Sequence, residues 1–266
     1  MASLFNPFQP TLTQAHLKQH GLTLTQSLPC DALQHSVHSY LQIRAQKATP
    51  YTVIPDASQA IFISPHGAQI NGALYQACEI PILQPGEYFG IRFYPGSLRH
   101  FFDLNLSEIS NQFVDHQYLP CHDFHTLQNT LYETPTFHAR AQLCEQWLLQ
   151  HFKPQPNPKF EHALSLIYQS LGNIKIKQLA MTINWSSRHL NRLFRYHTGL
   201  SSQGFAQTIR LQHACKQLYM TPNNSLNTAL ELGFFDQSHL ISDFKKRLLA
   251  NPSTFFNRFM SDFYNQ

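Results

Sequence analysis

Three arginines at helical spacing are the residues of this chain whose type and position fit a defined chemistry. Arg188, Arg192 and Arg195 follow one another at positions i, i+4 and i+7, so they share one flank of a helix that turns by about 100° per residue. A guanidinium donates paired hydrogen bonds to guanine edges and to phosphates, so such a flank suits the major groove of DNA. A helix with three arginines is also a common solvated surface, and the surrounding elements must decide between the two interpretations.

The arginines lie on a helix that the sequence predicts between Ser186 and Gly199, which are residue types of an N-cap and a C-cap. Its inward stripe recurs at spacings of three and four, as in an amphipathic helix. This stripe contains Leu190, Leu193, Phe194 and His197. Upstream, Ile176–Thr182 is a second predicted helix, and Asn184 tolerates the left-handed backbone of a tight turn. Together these elements predict a helix-turn-helix.

The same pattern returns later in the chain. A shift of 50 positions aligns Phe194 with Phe244. The same shift pairs His189 with His239, Leu190 with Leu240, Arg195 with Lys245 and Phe205 with Phe255. A tandem pair in matched register favours DNA binding, because two such units can enter successive major-groove faces of one duplex.

The second unit has the same order of elements as the first. Residues 225–232 and Gln237–Leu248 are predicted helices, and Gly233 supplies the turn between them. A long helix over about residues 203–219 joins the two units and ends before Pro222.

Charge is divided unevenly along the chain. Residues 1–152 contain six Lys and Arg against ten Asp and Glu, a net charge of −4, whereas residues 153–266 contain 13 against five, a net charge of +8. The stretch K-P-Q-P-N-P-K at residues 153–159 lies where the sign changes, and its alternating prolines predict an extended spacer. We therefore expect a first domain at residues 1–152, a linker at 153–159, and a basic, nucleic-acid-binding domain at 160–266.

The first domain has mostly short, alternating runs separated by turn dipeptides, which predict a small barrel or sandwich. These runs cover residues 36–43, 60–63, 72–80 and 90–94. Helical segments are predicted at residues 97–102, 107–113, 127–131 and 137–152. The expected fold class is therefore α+β, with a β-rich barrel- or sandwich-like domain that has short helices, followed by an all-α domain.

The first domain lacks the residue patterns of an enzyme. It contains no glycine-rich phosphate loop, no H-E-x-x-H and no G-x-S-x-G. The spacing of its densest polar cluster matches no standard zinc pattern. That cluster consists of His116, Cys121, His122, Asp123 and His125. We expect no catalytic residue, no cofactor and no bound metal.

The remaining features fit a protein of the cytoplasm. The cysteines are odd in number and scattered, which favours reduced thiols over a disulfide framework. They are Cys30, Cys78, Cys121, Cys144 and Cys215. We expect no membrane association, since no run of about 18 apolar residues occurs and the N-terminus lacks the pattern of a signal peptide.

Two segments resemble the AraC/XylS family of bacterial transcriptional regulators. The first is L-A-M-T-I-N-W-S-S-R-H-L-N-R-L-F-R-Y-H-T-G-L-S at residues 179–201, followed by F-A-Q-T-I-R-L-Q-H-A at 205–214. The second is A-L-E-L-G-F-F-D-Q-S-H-L-I-S-D-F-K-K-R at residues 229–247, followed by N-P-S-T-F-F. The resemblance covers about residues 160–259 and implies a DNA-binding domain of about seven helices with two helix-turn-helix motifs.

The first domain is similar to a sensor-like domain that precedes this module in some family members. The similarity rests on I-P-D at residues 54–56 and G-I-R-F-Y-P-G at residues 90–96. The resemblance implies double-stranded promoter or operator DNA as a partner, and a small effector or a second copy of the chain as a partner of the first domain. Contact with RNA polymerase stays open.

The resemblance also implies the DNA contacts. On the first recognition helix, base contacts fall on Arg188, Asn191 and Arg192, with Ser187 beside them. On the second they fall on Gln237, Ser238 and Ser242. Phosphate contacts, which hold register without reading sequence, fall on Arg195, Lys245 and Lys246.

The second unit departs from the family pattern. Ser242 replaces a longer polar or basic residue, Leu249 replaces the usual glycine, and Phe256 replaces a common arginine. We therefore hypothesise that the first unit supplies most sequence discrimination and the second mainly anchors the protein.

The sequence predicts a DNA-binding transcriptional regulator, not an enzyme, whose first domain responds to a small effector or drives dimerisation. One alternative is a ligand-independent regulator whose first domain is only an interaction surface. Another is a DNA-repair-type enzyme fused to the DNA-binding module, which requires a reactive cysteine in an electropositive setting. Cys30, next to Asp31, lacks that setting.

Overall fold

The structure is a computed structural model that describes residues 5–80, 82–220, 231–251 and 254. The first domain is built on eight strands within this part of the chain. They are β1 (Leu22–Ser27), β2 (Val37–Ala45), β3 (Tyr51–Val53), β4 (Gln59–Ser64), β5 (Gly67–Asn71), β6 (Cys78–Ile80), β7 (Gly86–Phe93) and β8 (Phe113–Asp115). Six form an antiparallel sheet in the order β1-β2-β7-β4-β5-β8, and β3 pairs with β6 in a small second sheet.

The predicted fold class is confirmed as α+β, and the sandwich-like alternative fits better than a closed barrel. The central strands β2, β4 and β7 are largely buried, which suits their β-branched and aromatic residues. β1 and β8 form the two edges of the large sheet, so the sheet stays open over the described residues.

Helices pack on both faces of the large sheet. They are α1 (Gln14–Gln19), α2 (Phe124–Glu133) and α3 (Phe137–His151), with 3-10 turns at Ser97–His100, Leu106–Glu108 and His116–Tyr118. Helices α2 and α3 lie on one face and α1 on the other. The first-domain core joins the sheet to α2 and α3, and includes Ile61, Phe89, Leu131 and Leu148.

Some sequence predictions for this domain were wrong in extent. Of residues 72–80 only Cys78–Ile80 form a strand, and residues 107–113 contain a single 3-10 turn before β8 begins. The alternation in Leu22–Ser27 follows burial closely but is too short to stand out, so β1 was not predicted. The short helix α1 was also missed.

The second domain contains α4 (Pro158–Gln169), α5 (Ile176–Thr182), α6 (Ser187–Thr198), α7 (Ser202–Met220) and α8 (Gln237–Leu248) among the described residues. The predicted bounds of α5 and α8 agree with the structure. The predicted linker extends two residues too far, because Pro158 and Lys159 already belong to α4. Proline is tolerated there since the first helical N–H has no partner within the helix, and the Asn157 side chain caps the helix by accepting from the Phe160 amide.

Three sequence predictions lie largely outside the described residues. These are the helix at residues 225–232, the pairing of Phe205 with Phe255, and the segment that contains Phe256. None of the described helices is both long enough and apolar enough to cross a membrane.

The cores of the second domain include side chains from the first. The Phe5 ring stacks on Tyr168 with centroids 5.1 Å apart, and Phe8 packs edge-on against Tyr219 at 5.3 Å. The buried amide of Gln212 on α7 accepts from the Phe8 N–H and donates to the Pro55 carbonyl, both at 2.7 Å. The two predicted domains therefore share a packed boundary.

Candidate nucleic-acid interface

Local interactions define the first helix-turn-helix. Asn184 adopts a left-handed conformation with φ 55°, which turns the chain sharply after α5. The Ser186 side chain accepts a hydrogen bond from the His189 amide at 3.1 Å and caps α6. Gly199 ends the helix with φ 79°, a conformation that glycine adopts without strain.

Burial of one stripe of α6 turns its opposite face outward. Leu190 and Phe194 are fully buried, and the Phe194 ring packs edge-on against Phe160 and Phe205. On the outer face the predicted contact residues Ser187, Arg188, Arg192 and Arg195 are exposed. The chain therefore presents three guanidiniums to solvent from one rigid helix.

Asn191 differs from the other predicted contacts of this helix. It is half-buried, and its side-chain oxygen accepts from the Ser202 amide at 3.1 Å, at the first residue of α7. The side chain thus joins α6 to the start of α7. Its oxygen is engaged in the protein, which leaves its NH₂ group as the donor for a base edge.

The second helix-turn-helix repeats this geometry. Asp236 occupies the N-cap and accepts from the His239 amide at 2.7 Å, as Ser186 does in the first unit. Leu240 and Phe244 are fully buried, in the positions aligned with Leu190 and Phe194. The predicted contacts on the outer face are exposed; they are Gln237, Ser238, Ser242, Lys245 and Lys246.

Two further arginines hold the second unit together, a role that the sequence analysis did not assign. Arg247 is buried, and its guanidinium bonds the Asp243 carboxylate at 3.0 Å and the side chain of Gln207 on α7. The Arg210 guanidinium lies 4.3 Å from the centroid of the Phe234 ring. Asp243 and Arg247 are four residues apart on a predicted helix, and this spacing could have indicated their ion pair from the sequence.

The first domain contacts the C-terminal ends of both recognition helices. On α6, the Tyr196 hydroxyl donates to Asp103 at 2.8 Å, and the Thr198 carbonyl accepts from the Gln59 side chain at 3.3 Å. On α8, the Ala77 amide donates to the Arg247 carbonyl at 2.6 Å. The Gln76 side chain donates to the carbonyl of Lys246 at 3.1 Å.

A cleft of about 430 Å³ lies between these contacts. Arg195 and Lys246, two predicted phosphate contacts, line it together with Tyr75 and Gln76 of the first domain. The structure therefore brings together one predicted phosphate contact from each unit at the boundary with the first domain.

The boundary also contains two half-buried histidines, His100 and His197. Burial and the adjacent Arg99 guanidinium lower the pKa of His197 on α6 to about 4. The same two causes, in the same order, lower the pKa of His100 to about 4. Arg99 pairs with Glu161 of α4 at 3.0 Å. These imidazoles are therefore neutral at pH 7.

A second cavity, of about 280 Å³, lies in the first domain between its two sheets. Its walls are mainly apolar. They include Leu41, Ile43, Phe62, Ile80, Tyr88 and Phe113. His66 and Asp115 are the ionisable side chains of its lining beside the tyrosines, among the residues that the structure describes.

The polar cluster of the sequence analysis does not come together as a whole. Cys121 and Asp123 meet His151, which the sequence analysis missed. His122 and His125 are exposed, and His116 lies 3.3 Å from the Asp115 carboxylate.

The cysteines lack the setting of a reactive thiolate. Burial and the hydrogen bond to Asp123 raise the pKa of the Cys121 thiol to about 12. The backbone amide of Cys30 donates to the Glu145 carboxylate at 2.6 Å, so its surroundings are acidic. A low-pKa catalytic cysteine needs the opposite electrostatic environment.

Comparisons with known proteins match both parts of the chain. Residues 179–258 match a helix-turn-helix domain family, and residues 25–115 match a domain of unknown function, DUF6597. An uncharacterized HTH-type transcriptional regulator of Haemophilus influenzae is 30% identical over 119 residues, 44% of this chain and 39% of that protein. The HTH-type transcriptional regulator MtrA of Neisseria gonorrhoeae is 32% identical over 80 residues, 30% of this chain and 27% of that protein.

The chain thus spans less than half the length of these two relatives. Among solved structures, ToxT from Vibrio cholerae aligns with a TM-score of 0.43 and 11% identity, over 88% of this chain and 96% of that one.

Proposed function

Because the chain belongs to the AraC/XylS family through its C-terminal domain, we propose that it is a sequence-specific DNA-binding transcriptional regulator whose first domain responds to a small effector. One observation supports the DNA-binding half of this proposal. Two units of matched local geometry each expose a polar, cationic helix face while burying the aligned leucine and phenylalanine. Such a pair fits two major-groove faces of one duplex.

We assign different tasks to residues along each exposed face. Arg188 and Arg192, near the start and middle of α6, read base edges, since a guanidinium can bond guanine O6 and N7 together. Arg195, Lys245 and Lys246 lie nearer the helix C-termini and bond phosphates, which gives affinity without sequence preference. Ser187, Asn191, Gln237, Ser238 and Ser242 complete the proposed base-contacting set.

The test is a selection of binding sites from random DNA with the full chain. We expect a bipartite site whose halves lie about one helical turn, roughly 34 Å, apart. Arg44→Ala, which removes an exposed guanidinium from β2 of the first domain, is the control and should leave the selected sequence unchanged. Enrichment of no sequence by the unmodified chain would refute the proposal.

The effector part of the proposal rests on the 280 Å³ cavity of the first domain. Its volume is close to the lower end of small-molecule sites, and its apolar walls suit a neutral, largely apolar molecule. Ile80 of β6 forms part of its wall. The segment just before β6 holds α8, through Gln76 and Ala77. A molecule that moves β6 would therefore shift the second recognition helix.

The effector is identified by screening apolar compounds for a rise in the thermal midpoint of the full chain. Leu83→Asp places a charge at the cavity lining, where the leucine is 72% exposed, and should abolish this rise. Leu28→Asp is the matched control, since Leu28 is 81% exposed and does not line the cavity. A compound that binds there should also change DNA affinity.

If bound compounds leave DNA affinity unchanged, the first domain is a ligand-independent interaction surface, the alternative that the sequence left open. An enzymatic role finds no support in the settings of Cys30 and Cys121. A cytoplasmic location, a homodimer and contact with RNA polymerase stay proposals that follow from the family.

A further inference from the structure

Three potential metal ligands meet in the first domain, where the start of α2 lies beside the end of α3. Sγ of Cys121 lies 2.8 Å from Oδ1 of Asp123 and 3.7 Å from Nε2 of His151. Nε2 of His151 lies 3.0 Å from Oδ2 of Asp123. These ligand atoms all lie within 4.8 Å of one another.

The fold holds these side chains in place by separate means. Asp123 is the N-cap residue of α2, yet its carboxylate does not cap that helix and instead bonds Cys121 and His151. An aspartate at this position ordinarily accepts from the first turn of its own helix. The carboxylate is therefore directed away from its local partner and toward the other two groups.

His151 is the last residue of α3, and two aromatic rings orient it. Its ring centroid lies 4.8 Å from that of Trp147 and 5.8 Å from that of Phe102. An imidazole packed in this way presents Nε2 in one direction, which lowers the ordering cost of binding an ion.

We propose that Cys121, Asp123 and His151 bind a single divalent ion of the zinc class. Thiolate, imidazole and carboxylate are the donors that zinc takes in proteins. Zinc bonds of about 2.0–2.3 Å in a tetrahedron separate neighbouring donor atoms by about 3.3–3.6 Å. The S–N separation is close to that range, and the two contacts of Asp123 reach it with small side-chain rotations.

Charge and exposure agree with this assignment. A thiolate and a carboxylate together neutralise a divalent cation. The side chains of Asp123 and His151 are 48% and 27% exposed, which leaves a fourth position for water. Binding displaces the thiol proton of Cys121 to solvent, because the metal ligand is the thiolate.

The ion would connect the start of α2 to the end of α3. His151 lies two residues before the linker begins at Lys153. An ion bound only by the folded protein stabilises it in proportion to the logarithm of ion concentration. Zinc should therefore raise the thermal midpoint of the full chain.

The test is titration of the metal-free, reduced full chain with Co²⁺ and then Zn²⁺. We expect one Co²⁺ per chain, with a thiolate-to-cobalt absorption band that Zn²⁺ abolishes. Cys121→Ser should remove the band, and His151→Gln should weaken Zn²⁺ affinity by at least about 10-fold, since even outer partners of a ligand change affinity by that much. Cys78→Ser, which removes a half-exposed thiol from β6, should leave the band unchanged.

A second measurement uses the unmodified chain and so does not depend on the folding of variants. Zn²⁺ should slow alkylation of Cys121 and leave alkylation of Cys78 unchanged, as measured by mass spectrometry of the peptides. The absence of a charge-transfer band in the unmodified chain, or equal Zn²⁺ affinity in Cys121→Ser and unmodified protein, would overturn the proposal.

Discussion

The two helix-turn-helix units have the same buried frame and differ in their surface chemistry. Both recognition helices begin at a side-chain cap and bury a leucine and a phenylalanine at equivalent positions. The outer face of α6 has three exposed arginines, whereas α8 has two exposed lysines. Geometry follows from the inward residues, which tolerate little change because cores are closely packed. The outward residues are free to diverge in what they bind.

The C-terminal ends of the two helices show a second difference. α6 ends at a glycine, while α8 ends at Leu249, which adopts φ 57° and is 66% exposed. A non-glycine residue in this conformation stores strain. The alignment also places half-buried His197 of the first unit opposite buried Arg247 of the second.

The largest effect is expected from variants that test whether the first unit reads the DNA sequence and the second mainly anchors the protein. Arg192→Ala should cost about 1–3 kcal/mol of DNA-binding free energy and relax sequence preference, because a paired contact to a base is lost. Ser242→Ala should change both much less. Binding-site selection with each variant measures this difference. An equal loss of specificity in the two variants would remove the distinction between a reading and an anchoring unit.

The next prediction concerns the residues that end the two recognition helices, where substitutions should change the free energy of unfolding in opposite directions. A Cβ added at Gly199 would lie 3.0 Å from the Leu106 carbonyl oxygen with φ at 79°, so Gly199→Ala should lower the free energy of unfolding by about 1 kcal/mol or more. Leu249→Gly should raise it by up to about 1 kcal/mol, since strain is relieved and an exposed side chain loses little packing. Chemical denaturation measures both. Destabilisation by Leu249→Gly would mean that this leucine makes a stabilising contact.

A smaller effect is expected at the proposed phosphate contacts. Lys245→Ala should weaken binding to all DNA sequences alike and reduce the salt dependence of the logarithm of affinity by about one unit of slope. Affinity is measured at several salt concentrations for a selected and an unrelated duplex. If only the selected duplex is affected, Lys245 reads bases.

The final prediction concerns the pH dependence of stability and compares two aligned residues, His197 of the first unit and Arg247 of the second. The folded-state pKa of His197 is lowered to about 4 from 6.5, so its contribution to stability is present above pH 6.5. That contribution is lost as the pH falls from 6.5 toward 4, because the unfolded chain binds the proton first. Burial disfavours the protonated form most, Arg99 also repels it, and Asp103 attracts it more weakly.

His197→Phe should therefore reduce the fall in thermal midpoint between pH 7 and pH 5. Arg247, at the aligned position of the second unit, keeps its charge over this range, so this position should not contribute to the dependence. A variant whose midpoint falls as steeply as that of the unmodified chain would show that His197 is not responsible. His100, which has the same shift and the same neighbour, is the next position to replace.

The sequence predicted the scaffold of the interface better than the use of its side chains. The caps at Ser186 and Gly199 and the bounds of α5 and α8 follow from signals within a few residues, and the structure has them where they were predicted. Spacing also placed Arg188 on an outer face. It did not show that the Asn191 oxygen bonds the start of α7, because that depends on where the next helix turns.

The sequence by itself determined the tandem helix-turn-helix, since helical period, capping residues and the uneven distribution of charge are local properties of the chain. Tertiary structure alone decided how the first domain holds the ends of both recognition helices, through pairs such as Gln76 and Lys246, 170 residues apart. It also decided that His151 joins Cys121 and Asp123. Contacts at such separations depend on how whole elements pack, and no short-range pattern specifies them. The three exposed arginines of α6 are therefore a feature of the sequence, while the cleft that Arg195 shares with Lys246 is a property of the fold.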